Sequence, residues 1–215
     1  TRIDKRFCLE EKDACLLMTD LLYRLAYATN DAFSTVMSPH VIHLQALHSC
    51  RKSGCMKIGV FDHMQKNDRP DLSYADLYAR HLEIVEFIDQ AGMDFYFVAE
   101  HHFDLGFSEC SSPGTIIAAA SQRTKRIRLG PLVYVLPLWH PVKVAEEVAM
   151  LDNLTGGRLE CGIGSGIGKY SFPAFNASWD DKQEVTWEAY RIIKGVWANS
   201  RFDYQGKFFK VKDAE

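Results

Sequence analysis

IRLGPLVYVLPLWHPVKVAEEVAMLDNLTGGRLECGIGSG, residues 127–166, reads as a strand, a helix and a second strand. Ile127 to Leu136 is almost wholly apolar, which predicts a strand covered on both faces. Pro131 inside it has no N–H to give a neighbouring strand, so an irregularity is expected there. Pro141 suits the first turn of a helix running to Leu154, and Val144, Val148 and Leu151 recur at helical spacing to form its apolar stripe. Gly156-Gly157 stops that helix, and Leu159 to Ile163 follows as a strand that ends in glycines. Strand, helix and strand in this order predict a parallel pair joined by a crossover.

The same alternation extends outward. Lys57 to Phe61 is a short strand, and Tyr74 to Gln90 is a helix with Leu77, His81, Ile84, Val85 and Ile88 on one face, closed by Gly92. Phe95 to Ala99 is an apolar strand, and Pro113 to Arg123 is a helix capped by Ser111 or Ser112. Beyond Gly168 come an aromatic loop, a helix from about Lys182 to Asn199, and FDYQGKFFKV, which predicts a hairpin turning at Gln205-Gly206. Such a series is an α/β fold, either doubly wound or half of an eight-stranded barrel.

Composition narrows the function. The chain has 215 residues, 47% hydrophobic and 25% charged, with a formal net charge of -3, as expected of a globular protein with a small-molecule partner. No dense Lys/Arg run marks a nucleic-acid surface. The six cysteines contain no CxxC, so zinc and thioredoxin-like sites are not indicated. Ala14 to Ala28 is interrupted by Asp20 and Arg24, too short and too charged for a membrane span. Residues 1–55 lack the strand-helix rhythm, although Leu17, Leu21, Leu25 and Ala28 allow a helix over about Lys12 to Ala28. They are expected to be an N-terminal extension outside the chemistry, with the fold beginning at Met56, and the protein is expected to be cytoplasmic.

Two stretches carry candidate chemistry. FVAEHHF, residues 97–103, sets Glu100, His101 and His102 at the carboxyl end of a buried strand, where parallel α/β folds place their ligands. Strand alternation puts Glu100 and His102 on one side and His101 on the other. A carboxylate beside imidazoles tunes a proton donor near neutral pH, although satisfied polar groups closing a strand account for the same residues. A metal site is not expected, because HExxH is absent. GIGSGIGK, residues 162–169, fails as a P-loop, with Ile163 where a glycine is needed and Tyr170 after Lys169. It fails as a dinucleotide fingerprint because no helix follows directly. What remains is glycine backbone that a ligand can approach closely. His140 and Trp139 are explained by helix initiation and core capping, while Phe61, Phe103 and Trp139 are candidate pocket walls.

Together, MKIGVFDH (56–63), FVAEHHF, residues 127–166 and the aromatic loop and helix after them resemble the bacterial luciferase-like family of flavin-dependent monooxygenases, collinearly from Met56 to about Val211. The resemblance implies a TIM barrel, of which residues 56–215 would hold about the first four β/α units and an insertion hairpin. It implies reduced FMN from a separate flavin reductase, dioxygen, a small organic substrate, and a homodimer or a dimer of related subunits. A deazaflavin coenzyme in a reductase of the same superfamily, or flavin binding without turnover, are the alternatives. His101 matches the acid/base histidine of the family, with Glu100 beside it. Leu132 and Val133 match a pair joined by a cis peptide against the flavin ring, and Gly164, Ser165 and Gly166 match residues beside the flavin. Ser165 and Gln183 stand where luciferase has arginines, and Lys182 is the cation expected to substitute at the phosphate.

Overall fold

The computed structural model describes residues 57–66, 71–104 and 107–215, so the extension at 1–55 and its expected helix lie outside the described residues. In chain order the elements are β1 (Gly59–Asp62), α1 (Tyr74–Gln90), β2 (Phe95–Val98), α2 (Pro113–Arg123), β3 (Arg128–Pro131), β4 (Tyr134–Val135), α3 (Pro141–Thr155), β5 (Ile163–Gly164), α4 (Lys182–Ala198), and the hairpin β6 (Phe202–Gln205) and β7 (Lys210–Ala214).

β1, β2 and β3 pair in parallel in that order, with Val60 opposite Tyr96 and Tyr96 opposite Leu129. β4 pairs in parallel with β5. The strand expected over Ile127 to Leu136 is therefore interrupted, and the break falls just after Pro131 at a cis peptide between Leu132 and Val133. Pro131 can accept but not donate, and its carbonyl takes the Gly162 N–H at 3.1 Å. Pairing with the next segment continues across the break: the Glu160 N–H donates to Leu129 at 2.8 Å and the Tyr134 N–H to Gly162 at 2.9 Å. Four parallel strand lines thus lie side by side with helices between them, the order of a barrel wall.

α3 buries the whole stripe its spacing predicts, and α1 buries all of its own except the partly buried Ile84. Val85 and Ile88 of α1, Ile117 and Ala120 of α2, and Val144, Val148 and Leu151 of α3 pack with Val60, Tyr96, Val98 and Leu129 in one core. The Ser73 hydroxyl caps α1 by accepting the Asp76 N–H at 3.1 Å, and Gly156, with φ of 65°, ends α3 in the left-handed conformation. Ser112 precedes α2 but makes no capping bond to its backbone. The hairpin departs from the expected turn. Instead of reversing at Gln205-Gly206, it uses the connection 206–209, because Glu188 of α4 accepts the N–H groups of Lys207, Phe208 and Phe209 at 3.1, 3.0 and 2.8 Å. A buried carboxylate from the preceding helix has set the loop.

Candidate active site

The carboxyl ends of β1, β2, β4 and β5 converge on a cleft of about 340 Å³, lined on its apolar side by Phe61, Leu132, Val133, Val135, Leu138 and Phe172. Its polar lining comes from His63, Glu100, His101, His102 and the turn 164–166. Of the catalytic and cofactor-binding residues expected from sequence, all but Lys182 line it, whereas of the expected walls Phe61 does and Phe103 and Trp139 do not. This is the face on which parallel barrels carry their ligands.

Glu100 organises the corner. Its side chain is 0% exposed. One carboxylate oxygen accepts from the Trp139 indole at 2.8 Å and lies 2.9 Å from Nε2 of His102; the other accepts the Val135 N–H at 3.0 Å. The carboxylate ties the end of β2 to β4 and to the turn that starts α3, and three donors leave it little capacity for substrate. Trp139, expected as a pocket wall, is instead a half-buried hydrogen-bond partner of this group. Glu100 and His102 pair as strand alternation requires.

His101 stands free of that pair. Its Nδ1 lies 3.9 Å from an Asp104 carboxylate oxygen, too far for a direct hydrogen bond, and its backbone N–H donates to Cys110 at 2.9 Å. Burial, and then the neighbouring His63 ring, hold its pKa below the ordinary histidine value against the opposing Asp104 and Glu100 carboxylates. A neutral imidazole at neutral pH is ready to accept a proton.

The glycine turn forms the opposite side. A Cβ on Gly164 would sit 2.7 Å from Cγ2 of Val133, and one on Gly166, whose φ is 77°, 2.6 Å from Cγ1 of Val135. Close packing of this turn on β4 therefore demands glycine, and the same feature leaves bare backbone facing the cleft. Ser165 Oγ accepts from the Gln183 amide at 3.0 Å. Lys182 donates to the Gly166 carbonyl at 2.7 Å, and its ammonium lies 3.5 Å over the Trp179 ring, so it supports the turn from behind. At the rim the Tyr170 hydroxyl donates to Asp104 at 2.6 Å, joining the two loops, and Phe103 stacks outward against Phe175 rather than walling the interior.

The sequence reading missed two residues here, Asp62 and His63. Asp62 accepts from the Met64 N–H at 2.7 Å and from the Tyr96 hydroxyl at 2.8 Å, and contacts Nδ1 of His81 at 2.6 Å. Burial alone would raise its pKa; the His81 ring and the hydrogen bonds outweigh it and hold the carboxyl below its ordinary value. The available signal was the polar pair closing MKIGVFDH at the carboxyl end of the strand next to that of EHH.

Parallel strands, intervening helices and a cleft at the strand ends define the class as an α/β barrel domain with its ligand site on the carboxyl face. Within that class the chain belongs to the luciferase-like monooxygenase family, whose model matches residues 56–215. It is 31% identical to the oxygenase component of the flavin-dependent trigonelline monooxygenase of Acinetobacter baylyi, over 72% of this chain and 43% of that protein. It is similar to a monooxygenase structure from Streptomyces bottropensis, with a TM-score of 0.69 and 28% identity over 74% of this chain and 48% of that one. The oxygenating constituent of 3,6-diketocamphane monooxygenase from Pseudomonas putida, solved with FMN, gives a TM-score of 0.68 and 26% identity over 74% of this chain and 44% of that one. The chain spans about half the length of the relatives it matches. Among the described residues no helix is long and apolar enough to cross a membrane, and no cluster of three or more His, Cys, Asp or Glu could hold a metal ion.

Proposed function

We propose that the protein is the oxygenase of a flavin-dependent monooxygenase that uses reduced FMN and dioxygen to oxidise a small apolar organic substrate. The observation that carries this reading is His101, an imidazole with its pKa held below the ordinary value and no direct side-chain hydrogen bond, lining one cleft with an apolar wall and a bare glycine turn. The residues fit a flavin. Leu132, Val133 and Val135 offer a flat apolar surface, Gly164 and Gly166 allow close backbone approach, and Ser165 with Gln183 offers neutral hydrogen-bonding groups for a polar end. Lys182 would serve the phosphate only after leaving Gly166 and Trp179, so its first role is to hold the turn.

Reduced FMN supplies the electrons that activate dioxygen, brought by a separate flavin reductase. The protein supplies the rest. Phe61, Phe172 and the rim residues Ile167 and Phe103, respectively 82% and 67% exposed, give an apolar approach that favours an uncharged substrate and excludes water once filled. His101 holds or releases a proton at the reacting oxygen, and Glu100 fixes the backbone from which both sides of the cleft are built. Dimerisation with a like or related subunit is part of the same reading.

His101→Ala tests it. Turnover is expected to fall by about 10²-fold or more, the usual scale for a general acid or base, with flavin affinity nearly unchanged. Equal loss of both would make His101 a structural residue.

A further inference from the structure

His63 follows β1 and has no part in the roles above. It lines the same cleft as His101, with ring centroids 5.7 Å apart and planes at 43°. Phe107 packs against both rings, at 5.0 Å from His63 and 5.1 Å from His101, and Phe61 meets His63 edge-on at 4.6 Å. The two imidazoles are held as a unit by shared aromatic neighbours.

The nitrogens distinguish His63 from the other histidines. His81 is committed to Asp62 and His102 to Glu100. Nδ1 of His63 is buried and has no hydrogen-bond partner. That closed nitrogen is out of a ligand's reach, so the ring meets the cleft through Nε2. Nor is the ring loosely placed. Asp62 before it and Met64 after it are locked together by the Asp62 carboxylate, with Met64 at a φ of 53°, and Tyr96 and His81 fix that carboxylate in turn. The fold holds an unsatisfied ring rigidly at the edge of a cleft.

We propose that His63 is a second imidazole of the reaction site, contacting the bound molecule through Nε2 and sharing one proton with His101. The singly protonated pair gives its proton to an oxygen of the bound molecule and becomes neutral, and a proton taken by either ring from the substrate or from solvent water restores its charge within a turnover. Two charged rings this close repel, and burial opposes charging of either, while Asp62, Asp104 and Glu100 support a single positive charge and His102 adds to the repulsion. The pair is thereby confined to zero or one proton across the neutral range. The identity of the bound oxygen rests on the monooxygenase reading; the sharing of a proton does not.

The two parts are separable by measurement. With ring-labelled histidine, NMR titration of the protein should show coupled steps for His63 and His101, and His63→Gln should move the His101 midpoint upward by removing its repelling neighbour. Adding FMN should shift the His63 ring signals. With reduced FMN, oxygen and substrate, His63→Phe, which keeps a ring between Phe61 and Phe107, should lose about 10²-fold in kcat and alter the acid limb of the pH profile. Flavin affinity should stay within about 2-fold, because only the nitrogens are lost. Independent titrations of the two rings in the parent protein overturn the proposal even if the variants do not fold. So does a folded His63→Phe variant with parental kcat. Coupled titration in a parent protein without oxygenase activity would preserve the pair and refute the reaction assigned to it.

Discussion

Glu100 shows how one side chain decides what its neighbours do. Its carboxylate meets three donors, two on one oxygen and a backbone N–H on the other. Glu100→Gln keeps the shape but turns an NH2 toward an existing donor, so a loss of about 1–3 kcal/mol in unfolding free energy is expected in urea titrations. Asp62 makes a pH prediction of known sign. Its folded pKa lies below its unfolded value, so its contribution is present above the unfolded carboxylate range and is lost as pH falls through the lower folded value. Thermal unfolding followed into acid should show this decline, and Asp62→Asn should weaken it. At this scale the sequence was only partly legible. FVAEHHF announced a polar strand end, and alternation paired Glu100 with His102. The hydroxyl, imidazole and indole that engage Asp62 and Glu100 come from Tyr96, His81 and Trp139, 34, 19 and 39 residues away, so local pattern could not assign them.

At the scale of elements, periodicity was a good guide wherever a helix packed on the sheet, because burial of one stripe decides a helix. The limits of α1 and α2 agree with the sequence reading, but the capping bond of Ser73 was not anticipated and Ser112, expected as a cap, makes none to the α2 backbone. It was a poorer guide where backbone pairing is governed from outside. Pro131 signalled the irregularity in the third strand but not its division into β3 and β4. The hairpin loop obeys Glu188 rather than Gln205-Gly206. Glu188→Ala should therefore raise amide hydrogen exchange across 206–209, with a local loss of about 2 kcal/mol, while exchange in β1 to β3 stays as it was. Gly164 makes the converse prediction. Any side chain there collides with Val133 at the cleft wall, so Gly164→Ala should weaken flavin binding more than it lowers stability.

Across the whole molecule, the strand lines from β1 to β5 share one direction and bring their carboxyl ends to one cleft, and every group assigned to the chemistry lies on that face. The neutral histidines carry a whole-molecule consequence. Burial lowers the pKa of both His63 and His101, so an unfolded chain binds more protons than the folded one just below the ordinary histidine value. Stability should accordingly fall as pH drops from neutral into that range, ahead of the acid loss from Asp62. The central claim, that this cleft is a flavin site for oxygen chemistry, is tested most directly by anaerobic titration with reduced FMN followed by admission of oxygen and an apolar substrate. Saturable binding and substrate-dependent oxygen consumption are expected. No binding of reduced FMN, or binding with oxygen uptake indifferent to any substrate, would contradict it.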